Sequence, residues 1–185
     1  MTIRRSPPLG ALLLLGWATA CPAAEGVTVV APSGYCIERG TPARAGLVLM
    51  GRCAGVTDRP PAILTAVVGA PGSGTSLKGR GADLAAYFRS RPGRAALSRS
   101  GDPRRIEVIE AAGLGEAFLL RLRDSGGSPP RPEDSWRAVV ALKGRLVTLT
   151  ARGTKASPLL PENGGRLIRA FVSAMEAANR GPAQE

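Results

Sequence analysis

The residues best placed to do covalent chemistry in this 185-residue chain are its cysteines, Cys21, Cys36 and Cys53. Cys36 and Cys53 close two extended stretches, G-Y-C-I-E and L-V-L-M-G-R-C. In an oxidising compartment such an even pair is expected to be a structural disulfide. A metal pair or a redox pair is not favoured, because there is no C-x-x-C and no histidine to complete a site. The absence of histidine also excludes Ser-His-Asp and Cys-His catalysis within this chain. Serine or threonine nucleophiles would have only Lys78, Lys143 and Lys155 as unusual basic partners. Glu107 and Glu110 are the nearest approach to a carboxylate pair. On a regular strand their parity differs, so they should point to opposite faces and not cooperate. Catalytic residues, metal ligands and cofactor sites are therefore all expected to be absent.

Gly69–Gly81, G-A-P-G-S-G-T-S-L-K-G-R-G, lies between a strand pattern and a helix pattern, which is the setting of a phosphate-binding loop. It lacks a lysine directly after the last glycine with a hydroxyl directly after that, and the sequence predicts a flexible surface loop instead. The charge balance is 25 basic against 14 acidic residues, and all the basic ones except three lysines are arginine. That excess reads either as attraction to a polyanion or as the arginine-rich composition of a GC-rich genome, since the arginines are spread along the chain. Arg89, Arg91, Arg94, Arg99, Arg104 and Arg105 form the densest basic stretch. If any surface binds an anion, such as anionic lipid or lipopolysaccharide, it is expected there; nucleic acid is not the expected partner.

Ser135–Arg152 sets the architecture. It reads as two strands turning at Lys143-Gly144. A two-residue loop pairs Val140 with Val147, Ala138 with Leu149 and Trp136 with Ala151 on one dry face. The other face mixes Val139, Ala141 and Leu146 with Arg137, Thr148 and Thr150. The dry face needs a cover, and Leu167–Met175 supplies the strongest helical stripe: Leu167, Ile168, Phe171, Val172 and Met175. This helix should open at Glu162-Asn163 and end at Gly181.

Upstream, Val27–Val30, Tyr35–Ile37, Leu47–Cys53 and Ile63–Val68 read as strands, the last dry on both faces. Asp83 should cap a helix with inner stripe Leu84, Tyr87 and Phe88, broken by Pro92-Gly93 before one further turn at Arg94–Leu97. A second hairpin, Arg104–Ala111 with Glu116–Arg123, should turn Phe118, Leu120 and Leu122 to one side. Asp124–Asp134 should be a mobile loop.

Met1–Cys21 carries Arg4 and Arg5, an apolar run Leu9–Trp17 and the small residues Ala18-Thr19-Ala20, the makings of a secretory signal. The run is too short for a membrane span. Thr19-Ala20-Cys21 is like a lipobox, but Ala18 stands where leucine is usual. Acylation of Cys21 and ordinary cleavage after Ala20 or Ala24 both stand open. The expected layout is a leader over residues 1–24, one domain over 25–181 and a disordered tail over 182–185. The fold class is α+β, a largely antiparallel twisted sheet of about six or seven strands packed with two helices. The location is periplasmic or exported, with a lipid anchor if Cys21 is acylated.

The element order, with Pro32-x-Gly34-Tyr35 after the first strand, Leu146–Thr150, and Phe171-x-x-x-Met175 on the closing helix, resembles the PsbP/Mog1-like α/β/α sandwich over most of residues 26–180. That resemblance implies a non-enzymatic accessory or assembly factor that binds another envelope protein. It places no functional residue on this sequence.

Overall fold

The computed structural model describes residues 26–38, 46–126 and 133–180. Seven strands form one antiparallel sheet: β1 (Tyr35–Ile37), β2 (Leu47–Arg52), β3 (Ala62–Val68), β4 (Ile106–Leu114), β5 (Ala117–Asp124), β6 (Glu133–Leu142) and β7 (Arg145–Gly153). Their spatial order is β1-β2-β3-β7-β6-β5-β4. Three α-helices pack on it: α1 (Gly81–Arg89), α2 (Arg91–Leu97) and α3 (Pro161–Asn179). The fold is α+β, and none of the described helices is long and apolar enough to cross a membrane.

The β6–β7 hairpin forms as the residue pattern requires. Val140 pairs with Val147, Ala138 with Leu149 and Trp136 with Ala151. Lys143 and Gly144 both take positive φ, at 46° and 71°. Two such residues in a two-residue loop match the right-handed twist of the strands they join.

The buried face of this hairpin lies under α3, whose Leu167, Ile168, Phe171, Val172 and Met175 are all buried. Leu64 and Ala66 of β3 and Met50 of β2 extend the same core. At Gly164 a Cβ would lie 2.4 Å from the ring carbons of Trp136, so only glycine lets the first turn of α3 settle on that indole. The helix starts one residue earlier than expected, with Pro161 in its first turn. Its expected stop at Gly181 lies outside the described residues.

A second, smaller core occupies the opposite face. Phe118, Leu120 and Leu122 of β5 pack with Ile106 and Leu97, flanked by Leu84 and Phe88 of α1. Phe88 stacks on Phe118 with ring centroids 5.6 Å apart. The layers are therefore helix, sheet, helix, with three helices rather than two.

Several expectations are corrected. Val27–Val30 joins no strand. Its backbone amides turn to α3, Thr28 donating to Asn179 Oδ1 at 2.8 Å and Val30 to Met175 Sδ at 3.4 Å. β3 is dry on one face only; Val67 is 42 % exposed, because α1 and α2 lie over the β4–β5 side of the sheet. Asp83 sits inside the first turn of α1 rather than capping it. Tyr87 is 46 % exposed, off the inner stripe.

Pro92-Gly93 belongs to α2, and the break falls at Ser90, whose Oγ accepts from Gly93 N at 3.2 Å. The Gly69–Gly81 segment, expected to be flexible, is tied to the β6–β7 tip. Gly69 N donates to Leu146 O at 2.9 Å, Gly74 N to Gly144 O at 3.1 Å and Leu146 N to Ser73 Oγ at 3.0 Å. Glu133 and Asp134, assigned to a mobile loop, open β6. The loop residues 127–132 and the tail 182–185 lie outside the described residues, as do Arg4, Arg5 and Cys21.

Candidate functional site

Cys36 in β1 and Cys53 just after β2 are joined, with an S–S distance of 1.99 Å and Cα atoms 5.1 Å apart. The bond staples the edge strand to its neighbour and fits an oxidising, exported location.

The six arginines of the basic stretch divide. Arg89 ends α1, Arg94 lies in α2 and Arg104 in the 3-10 turn Pro103–Arg105, and these three line one hollow of about 450 Å³ with Ile106, Glu107 and Val108. Arg94 is held there by its own chain, donating to Arg89 O at 2.6 Å and Pro103 O at 3.3 Å. Arg104 makes a forked contact with Asp102, at 3.1 and 3.0 Å. Those hydrogen bonds from Arg104 hold the Asp102 carboxyl below its ordinary range. Arg91 and Arg105 are not part of the hollow's lining, and Arg105 donates to Gly126 O at 3.4 Å. Arg99 lines a different hollow, of about 300 Å³, with Ser98, Ser100, Asp124, Glu133 and Arg152.

Glu107 and Glu110 share a face after all. The β4–β5 register slips between Val108 and Glu110, opposing Glu107 to Arg123 and Glu110 to Arg121. A β-bulge adds one residue and so reverses the parity of everything after it. Both glutamates enter an ion ladder. Glu107 lies 3.4 Å from Arg123, Arg123 2.9 Å from Asp134, Asp134 2.8 Å from Arg121, and Arg121 3.8 Å from Glu110. Arg121 also lies over Trp136, 5.6 Å from the ring centroid.

Sequence reasoning missed this ladder, because Asp134 was placed in a loop and the bulge carries no glycine or proline to mark it. The alternation Arg121-x-Arg123 opposite a strand-opening acid was the available signal.

Burial alone would raise the Asp134 pKa, but hydrogen bonds from Arg121 and Arg123 outweigh it and hold the carboxyl below its usual range. A depressed folded-state pKa gives stability that is present above the unfolded value, near 3.9 for aspartate, and is lost as pH falls through the folded value. Asp134→Asn should therefore cost about 2 kcal/mol at pH 7, the scale of a charge-assisted hydrogen bond. It should also flatten the loss of stability below about pH 4. Urea unfolding of both proteins at pH 7, 5, 4 and 3 checks this; parallel pH profiles would refute it.

Arg137 is a second residue the pattern did not single out. On the face under α2, its Nη1 donates to Leu97 O at 3.2 Å, while its buried Nε has no hydrogen-bond partner among the described residues. Burial pushes this guanidinium below the ordinary arginine value; Asp124 raises it and Arg99 lowers it further.

Of the lysines, Lys78 lies 4.0 Å from Glu116, whose Oε2 also accepts from Ser76 Oγ at 3.0 Å. Lys143 stands in the β6–β7 turn and Lys155 beside Pro158 and Leu159 in a hollow of about 310 Å³. A depression of about 660 Å³ runs along α3 from Arg169 to Arg180, lined also by Leu114, Val140 and Leu142. No family model, curated protein or solved structure matches this chain.

Proposed function

We propose that the protein is an exported, periplasmic or envelope-associated accessory protein that binds an acidic surface of another envelope protein and carries out no catalysis of its own. The observation that supports this most is the hollow in which Arg89, Arg94 and Arg104 converge from three segments. They do so on a chain with a formal net charge of +11. Arginine presents a planar fork suited to carboxylates, and the bonds from Arg94 to the chain's own carbonyls pre-order that part of the surface. The leader pattern of residues 1–24 and the disulfide support a location outside the cytoplasm. Acylation of Cys21 would hold the domain at a membrane. Kinship with PsbP/Mog1-like accessory factors is part of the same proposal and rests on the sequence motifs alone.

A second reading takes the same hollow as a seat for the phosphates of anionic lipid or lipopolysaccharide. It is favoured by the positive charge that Arg89, Arg94 and Arg104 gather at the hollow, which attracts phosphate as well as carboxylate. One experiment separates the two. A photoactivatable side chain placed at Glu107, an exposed lining residue of the hollow, is crosslinked in intact envelopes, with and without Arg89→Glu. A discrete protein adduct lost on charge reversal is the expected result. Lipid adducts, together with retention on anionic vesicles that weakens with salt, would move the assignment to the second reading. An adduct pattern indifferent to Arg89→Glu would overturn both.

A further inference from the structure

The three guanidinium groups of the hollow are not equally available. Arg94 donates from Nε and Nη1 to the carbonyls of Pro103 and Arg89, which fix its position and leave its charge unbalanced. Arg89 is exposed, and its side chain makes no hydrogen bond or ion pair with the described residues. The Arg104 side chain is 88 % exposed, but its Nε and Nη2 are both occupied by Asp102, at 3.1 and 3.0 Å.

The acids beside the hollow differ too. Glu107, on its lining, is engaged by Arg123 at 3.4 Å. Asp102 is the carboxylate set against the hollow's own cations, with Arg105 3.8 Å away as well as Arg104. Its Oδ1 also accepts from Arg104 N at 3.0 Å and so caps the Pro103–Arg105 turn. A carboxylate seated on a guanidinium fork is the contact an acidic partner would make there. The short tether keeps Asp102 at high local concentration. The exposure of the pair means that little is lost when one carboxylate replaces another.

We propose that Asp102 is a resident competitor at the arginine hollow: it occupies the fork of Arg104, so that a partner's carboxylate lands on Arg89 and recruits Arg104 only by displacing Asp102. The proposal rests on the reading of the hollow as the seat of an acidic partner and adds what sets its affinity.

The test is binding of a rhodamine-labelled oligoglutamate peptide to the exported protein, followed by fluorescence anisotropy. Wild type should bind it saturably, more weakly as salt rises and more weakly still with Arg89→Gln. Asp102→Asn should tighten binding about two- to fivefold, the scale of an exposed ion pair. Asparagine keeps an oxygen for the Arg104 amide, so the turn stays capped. In an Arg104→Gln background, which lacks the fork, Asp102→Asn should bring no gain. Asp58→Asn deletes the same charge beside Arg59, between β2 and β3 on the other half of the sheet, and should leave binding unchanged. Far-UV circular dichroism confirms that the variants fold.

A gain that survives Arg104→Gln, or that Asp58→Asn reproduces, would overturn the proposal, since loss of any acid would then serve. No gain from Asp102→Asn would overturn it too, and wild-type binding that still needs Arg89 would leave the accessory role standing. A peptide bound by neither wild type nor Asp102→Asn would remove the acidic partner together with its competitor.

Discussion

Phe171→Ala should lower the stability of the domain by about 4 kcal/mol, a large part of the 5–15 kcal/mol that holds a typical domain together. Phe171 is fully buried, in the middle of the one stripe that joins α3 to the sheet. Truncating it removes transfer free energy and leaves a cavity between α3 and the β6–β7 hairpin that the packed neighbours are poorly placed to fill. Tyr87→Ala is the contrast: that ring is 46 % exposed and should cost well under half as much. Urea unfolding followed by far-UV circular dichroism should give a lower midpoint for Phe171→Ala with an unchanged slope, since the surface exposed on unfolding barely differs. A loss below about 1.5 kcal/mol would mean that α3 is not the principal lid of the sheet.

What could be read from the residues was what strict periodicity dictates. The β6–β7 hairpin alternates without interruption through a two-residue turn, so one register satisfies both strands, and Leu167–Met175 carries a helical stripe of matching length. The disulfide was legible because two strand-end cysteines had no other chemistry open to them.

The errors share a cause: each feature depends on a neighbour in space. Ile63–Val68 is apolar enough for a strand dry on both faces, but α1 and α2 are short and lie over the other side of the sheet, and nothing within β3 reports that. Val27–Val30 has the β-branched composition of a strand, yet the Thr28 and Val30 amides donate to Asn179 and Met175, some 150 residues away in sequence. The bulge lies between Val108 and Glu110, where β4 pairs with β5, so parity counting failed between the two glutamates of the ion ladder it would have revealed. The arginine hollow was half legible: the stretch was basic in sequence, but only the α1–α2 break at Ser90 and the turn at Pro103 decide that Arg89, Arg94 and Arg104 converge while Arg99 lines another hollow.

Replacing Cys36 and Cys53 together by serine should destabilise the protein by about 3 kcal/mol, through a route different from that of Phe171→Ala. The bond spans 17 residues of sequence, and its principal effect is to restrict the unfolded chain. Without it the unfolded ensemble expands, so the urea slope should rise as the midpoint falls, whereas Phe171→Ala moves the midpoint alone.

The native state should also show a local effect. β1 is only three residues long and, among the described residues, pairs with β2 alone, and its Tyr35 hydroxyl donates to Pro60 O at 2.8 Å, outside the loop the disulfide closes. Amide exchange in Tyr35–Ile37 should accelerate before exchange in β3 or β7 changes, because an edge strand of this length opens without unfolding the sheet. Wild-type protein under reductant should reproduce the double serine variant in both midpoint and slope. If reductant leaves the wild-type midpoint and slope unmoved, the two sulfurs do not staple the edge of the sheet in solution, and the account of how β1 is held must be abandoned.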